Sequence, residues 1–111
     1  MTLADAIRKG AMQREKGTGR LYDADRNLSC ALGAAAEGMF GPLEQQVDVY
    51  IADALRREFP ALHCYLPSGR CVQCPDCKET SWLWDVVGRH LNDARAWTRE
   101  RIADWLDTLE E

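Results

Sequence analysis

Apolar residues recur at helical spacing in several stretches of the chain, and Gly- and Pro-containing breaks separate them. Leu3, Ala6 and Ile7 follow Thr2, a good N-cap with Asp5 three residues on, so a first helix is predicted to run to about Glu15. Lys16-Gly17-Thr18-Gly19 breaks it. From Arg20 to Ser29, two short apolar touches (Leu21-Tyr22 and Leu28) flank the polar Asp23-Ala24-Asp25-Arg26-Asn27, which fits a small β-hairpin or an irregular loop. Ser29 is placed to cap a helix through Cys30 to Glu37, whose small residues allow close packing, with Gly38, Gly41 and Pro42 marking its end. Val47, Tyr50, Ile51, Ala54, Leu55 and Phe59 make the clearest amphipathic helix, from about Leu43 to Glu58, and Pro60 stops it. Residues 61–80 read as loop. Leu83, Val86, Val87, His90 and Leu91 then share one helical face beginning near Ser81. In the last helix Thr98 is the N-cap, Trp97 and Ile102 form a hydrophobic staple, and Ile102, Trp105, Leu106 and Leu109 face inward. The expected fold is mainly α, about five short helices with a minimal β-hairpin. Residues 1–60 form a helical N-terminal part and 61–111 a zinc-finger-like C-terminal part of one unit.

The loop at 61–80 changes the picture, because four of the five cysteines fall inside it. Cys71-Val-Gln-Cys74-Pro-Asp-Cys77 is followed, after twelve residues, by His90. Cys-x2-Cys and a His at that distance make three quarters of a zinc-finger ligand set. Cys74-Pro-Asp-Cys77 is a tight turn that aims two thiolates at one point, and His90 approaches from a packed helix face. Zn²⁺ suits this mixture of thiolate and imidazole. A conventional finger would place a second His in Asp93 to Ala96, and none is there. Cys71 is the first choice as fourth ligand, since it needs little loop closure, and Cys64 is the alternative, with His63 and Asp93 behind them. An iron–sulfur cluster on Cys64, Cys71, Cys74 and Cys77 competes with zinc, but the Cys-Pro that ends a ferredoxin run is missing. Cys30, standing alone, reads as a small buried hydrophobe. The Asp23-x-Asp25-x-Asn27 run opens like a calcium loop, yet Leu28 and Ala34 occupy its Gly and Glu positions.

Length and composition bound the rest. A chain of 111 residues that is 46% hydrophobic and 29% charged is ordinary for one globular domain. No apolar run approaches a membrane span and the first residues lack a signal-peptide pattern, so a cytoplasmic protein with reduced thiols is expected. The formal charge of −4 does not favour nucleic acid as a whole. Only the first twenty residues carry a basic excess, with Arg8, Lys9, Arg14, Lys16 and Arg20 against Asp5 and Glu15.

His90-Leu91-Asn92-Asp93, then Trp97-Thr98-Arg99-Glu100-x-Ile102-Ala103-Asp104-Trp105-Leu106, following Cys74-Pro-x-Cys77, resembles a group of small uncharacterised phage and proteobacterial proteins. The similarity extends to Cys30-Ala31-Leu32-Gly33-Ala34-Ala35 and covers about half the chain. In that group a second histidine stands where this chain has Arg95. The resemblance therefore implies Cys74, Cys77 and His90 as ligands and leaves the fourth to Cys71 or Cys64.

Function is less legible. No His-Glu-x-x-His or His-x-Glu motif accompanies the cysteines, and thiolate-rich zinc is usually closed and structural, so no enzyme is expected. The leading reading is a non-enzymatic interaction or regulatory protein with a structural zinc, its partner another protein. Of Trp82 and Trp84, which flank Leu83, one is expected at the surface as an anchor. The alternative is a nucleic-acid-binding regulator, with Arg70, Lys78, Arg89 and Arg95 as its basic patch. A homodimer through the Ala/Gly-rich helix at 30–38 is a further expectation.

Overall fold

A computed structural model describes residues 1–43 and 48–111. Its element order is α1 (Leu3–Ala11), β1 (Glu15–Lys16), β2 (Tyr22–Asp23), β3 (Leu28–Ser29), α2 (Ala31–Phe40), α3 (Asp48–Glu58), a 3₁₀ turn (Pro60–Leu62), β4 (Cys71–Gln73), β5 (Thr80–Trp82), α4 (Leu83–Asp85) and α5 (Arg99–Thr108). Between α4 and α5 the chain continues as a π-helix, Val86–Ala94. The fold is mainly α with minimal β structure, as the residue periodicity predicts, and the strands form two small sheets rather than one hairpin. Among the described residues, no helix is long and apolar enough to cross a membrane.

Thr2 caps α1 as expected, its Oγ1 accepting from Asp5 N–H at 3.1 Å. The helix stops at Ala11 rather than Glu15, because Glu15 and Lys16 leave to form β1, which pairs in parallel with Leu28 and Ser29 of β3. β2 joins β3 antiparallel on its other side, so the expected hairpin is present and gains a third strand. Of the helix placed at Leu43 to Glu58, Leu43 is buried but not helical, and residues 44–47, Val47 among them, lie outside the described residues. From Asp48 on, the helix is present.

The buried centre is α2. Every residue from Ala31 to Gly38 is buried, and α1 crosses it so closely that a Cβ on Gly10 would stand 1.6 Å from the Ala34 carbonyl oxygen. Gly38 is therefore a packing residue inside the helix, not its end. Gly41, at φ 85°, takes the terminating left-handed position. The small residues of α2 pack at backbone distance against α1 of the same chain. Glu37 lies on this buried helix with its side chain fully enclosed, and Arg14 meets it with two bonds of 2.6 and 2.7 Å. The core continues past Pro60: Leu62, Leu83, Val86, Val87, Leu91, Ile102 and Leu106 are in contact with the residues of α1 and α2 in one cluster.

Candidate metal centre

The segment read as a loop, 61–80, contains a hairpin. β4 and β5 pair antiparallel, with Cys71 opposite Trp82, Val72 opposite Ser81 and Gln73 opposite Thr80. Sequence periodicity missed it because each strand has three residues. The turn that joins them is the Cys74-Pro-Asp-Cys77 knuckle. Cys74 N–H donates to the Glu79 carbonyl at 2.7 Å and Lys78 N–H to the Cys74 carbonyl at 3.0 Å, which curls the chain around the two sulfurs. Lys78 takes a left-handed φ of 68° to complete the turn. Its Nζ folds back on the Pro75 carbonyl at 2.9 Å, and Gln73 Nε2 donates to the Lys78 carbonyl at 3.0 Å.

His90 comes from the π-helix, a geometry that recurs at functional sites. Three neighbours of His90 hold this stretch in place. Leu91 is fully buried. Asn92, also fully buried, accepts from Ala31 N–H at 3.1 Å and donates to the Gly17 carbonyl at 3.0 Å, clamping the π-helix to the start of α2 and the turn after β1. Asp93 accepts from Gly19 N–H at 3.2 Å and from Asn92 Nδ2 at 2.8 Å. The knuckle is tied from the other side: Trp97 Nε1 donates to Asp76 at 3.1 Å, and Arg101 lies 3.7 Å over the Trp97 ring.

These supports bring one donor atom each from Cys74, Cys77 and His90 within 4.8 Å of one another. Cys77 Sγ lies 3.3 Å from His90 Nδ1. A sulfur and a nitrogen on one tetrahedral zinc, at the usual bond lengths, stand about 3.6 Å apart. The spacing is close to that of a bound pair. Cys74 is fully buried, while Cys77 and His90 are half-buried. The Cys77 thiol is held down at about 7, first by the Glu79 N–H, then by His90, with burial opposing. A hydrogen-bonded sulfur of this kind is prepared as a thiolate, the form a metal binds. The three residues thus form a Cys2His group close enough to hold a metal ion.

The structure does not bring the expected fourth ligand into this group. Successive side chains of a strand point to opposite faces, so buried Val72 and Cys74 share one face and Cys71 takes the other, exposed one. Cys64 is half-buried and also outside the group, as are His63 and Asp93. The four-thiolate set for an iron–sulfur cluster is not assembled. Cys30 is buried, as its isolation suggests, and burial pushes its thiol up to about 11. It also caps α2, accepting from Gly33 N–H at 3.4 Å, a task expected of Ser29. Trp82 and Trp84 are both half-buried: Trp82 packs on Tyr65 with ring centres 5.4 Å apart, and Arg56 covers Trp84 at 4.2 Å.

Asn92 and Arg99 are the polar residues whose importance the sequence did not reveal. Arg99, buried in the first turn of α5, donates to Ser29 Oγ at 3.0 Å, the Arg14 carbonyl at 2.6 Å and the Ala11 carbonyl at 3.3 Å. It joins the C-terminal helix to the small N-terminal sheet. The signal was present only in the quoted His-Leu-Asn-Asp and Trp-Thr-Arg-Glu runs, where each residue turns out to have a distinct contact. Comparison of the chain with known protein families, characterised proteins and solved structures finds no significant match. The site is therefore read from its own chemistry.

Proposed function

We propose that this chain is a zinc protein in which Cys74, Cys77 and His90 hold a structural ion, and that it acts without catalysis as an interaction or regulatory protein. One observation carries the reading: three soft donors from two separate elements converge within 4.8 Å. Zinc is the ion of choice for two thiolates and an imidazole, and such a site can supply on the order of 10 kcal/mol to folding. The ion would tie the β4/β5 hairpin to the π-helix. A protein partner is supported by Tyr65 and Leu66, exposed at the loop beside the hairpin, since exposed aromatic side chains recur at binding hot spots. The bacterial or phage setting is that of the proteins whose motifs this chain resembles.

Nucleic acid has weaker support. Arg8 is ringed by Glu100, Asp104 and Asp107 of α5 at 2.6–3.1 Å, and Arg14 is held by Glu37. Arg70 grips the C-terminal turn through the Leu109 carbonyl at 2.9 Å and Glu111 at 3.2 Å, and Lys78 bends back onto its own turn. Two of the four residues of the expected basic patch, Arg70 and Lys78, are thus engaged within the chain, as are Arg8 and Arg14 of the basic N-terminal stretch, whereas phosphate binding needs free cations.

Elemental analysis of protein purified without added metal tests the reading, together with thermal melts before and after chelation. One zinc per chain and a melt lowered by chelator are expected. Metal-free protein with an unchanged melt would refute it.

A further inference from the structure

We propose that the fourth coordination position beside Cys74, Cys77 and His90 is filled by a small oxyanion from solution, a carboxylate or phosphate group, held by Arg89 and Arg95. The inference rests on the metal reading above and adds a ligand to it.

The first support is where the group opens. Cys74 closes the inner side, whereas Cys77 and His90 line a cavity of about 290 Å³ that also touches Glu79, Arg89, Ala94 and Arg95. Among the described residues, no fourth Cys, His, Asp or Glu donor joins the three within 4.8 Å. Zinc with three protein ligands commonly takes its fourth from solution.

The second support is the placing of the two guanidinium groups. Arg89 directly precedes His90, and Arg95 N–H donates to the His90 carbonyl at 2.9 Å, the i to i+5 bond of a π-helix. That bond sets Arg95 one wide turn above His90, on the same cavity wall. Among the described residues, neither arginine forms an ion pair within the chain. Arginine's planar fork matches carboxylate and phosphate oxygens.

Charge decides the class of ligand. Two thiolates and a neutral imidazole cancel the 2+ of zinc, so an incoming anion meets no repulsion from the first coordination sphere. Its own charge is then offset by the two arginines. A third thiolate at Cys71 would have made the centre negative and reversed this preference. Glu79 is the one acid on the cavity wall, and two cations outnumber it.

Cobalt(II)-loaded full-length protein gives the test, because its d–d absorption reports the fourth ligand directly. Acetate and inorganic phosphate are titrated separately at constant ionic strength. A saturable spectral change is expected, the anion acting at lower concentration identifying the favoured class. The Arg89→Ala/Arg95→Ala variant, altered only at exposed positions, should need at least ~10-fold more anion, a change of about 1.4 kcal/mol, with cobalt affinity retained. Cobalt bound tightly with a spectrum blind to both anions overturns the oxyanion and leaves the metal site standing. If Glu79→Gln then alters that spectrum, Glu79 is the resident fourth ligand. Failure to bind cobalt at all removes the metal reading and this inference together.

Discussion

Cys71 and Cys74 stand three residues apart, and the pleat of β4 sends them to opposite faces of one hairpin. Their substitutions should therefore differ. Cys74→Ser or His90→Ala is expected to lower zinc affinity by at least ~100-fold, while Cys71→Ser leaves one zinc per chain, as measured by elemental analysis. The thiols should also separate by reactivity. With Cys77 held at about 7 and Cys30 pushed up to about 11, alkylation of metal-free protein near neutral pH should modify Cys77 early and Cys30 last, as read by peptide mass spectrometry. The sign of the pH dependence follows. A thiol depressed from its free value of 9.0 to about 7 contributes stability that is present above 9.0 and lost as pH falls through about 7. Protons compete with a bound metal for this sulfur, so acidification should release zinc at a pH below the metal-free thiol's value of about 7. Among the arginines, burial sets the cost of removal. Arg8 bridges carboxylates that are half exposed or more, so Arg8→Ala should cost about 1 kcal/mol or less in chemical denaturation. Arg14→Ala leaves the enclosed Glu37 charge without its partner and should cost about 3–5 kcal/mol.

α2 and the π-helix are the two elements whose roles depart furthest from what their sequences suggest. α2 contains small residues because α1 lies against it at backbone distance. Replacing Gly by Ala in a helix interior gains up to about 1 kcal/mol of propensity. At Gly10 that gain is outweighed, because the added carbon would sit 1.6 Å from a backbone oxygen that no rotamer change can move. Gly10→Ala should destabilise by about 1–3 kcal/mol, measured by urea unfolding. Spacing alone placed His90 on the face of Leu83, Val86 and Val87; those three are fully buried, whereas His90 is half-buried and lines the cavity beside Cys77. The widening of the helix was not legible, because a π-turn requires the same residue types as an α-turn. It is stabilised instead by distant partners: the Ala31 N–H and Gly17 carbonyl that Asn92 engages.

Across the whole molecule, the metal group and the helical core are unequal in what they hold. Of the β4/β5 hairpin only Val72 and Cys74 join the buried core, whereas the π-helix contributes Val86, Val87 and Leu91 and the α1/α2 crossing a continuous buried interface. Chelation of the loaded protein should therefore open the hairpin, residues 71–82, first in hydrogen exchange, while α1 and α2 stay protected. Uniform loss of protection along the chain would show that the ion supports the entire core. Helix positions, the cap at Thr2, the cap at Thr98 and the Cys-Pro-x-Cys turn were all written in the sequence, because periodicity, capping and tight turns depend on residues within a few positions of one another. Which cysteines join His90, how β1 leaves the first helix to pair with β3, and where Arg89 and Arg95 stand depend on strand faces and contacts between distant segments. Local pattern proposes donors. Only the packed chain decides which of them meet, because a metal site is defined by distances in space, and those are set by the burial of residues far apart in sequence.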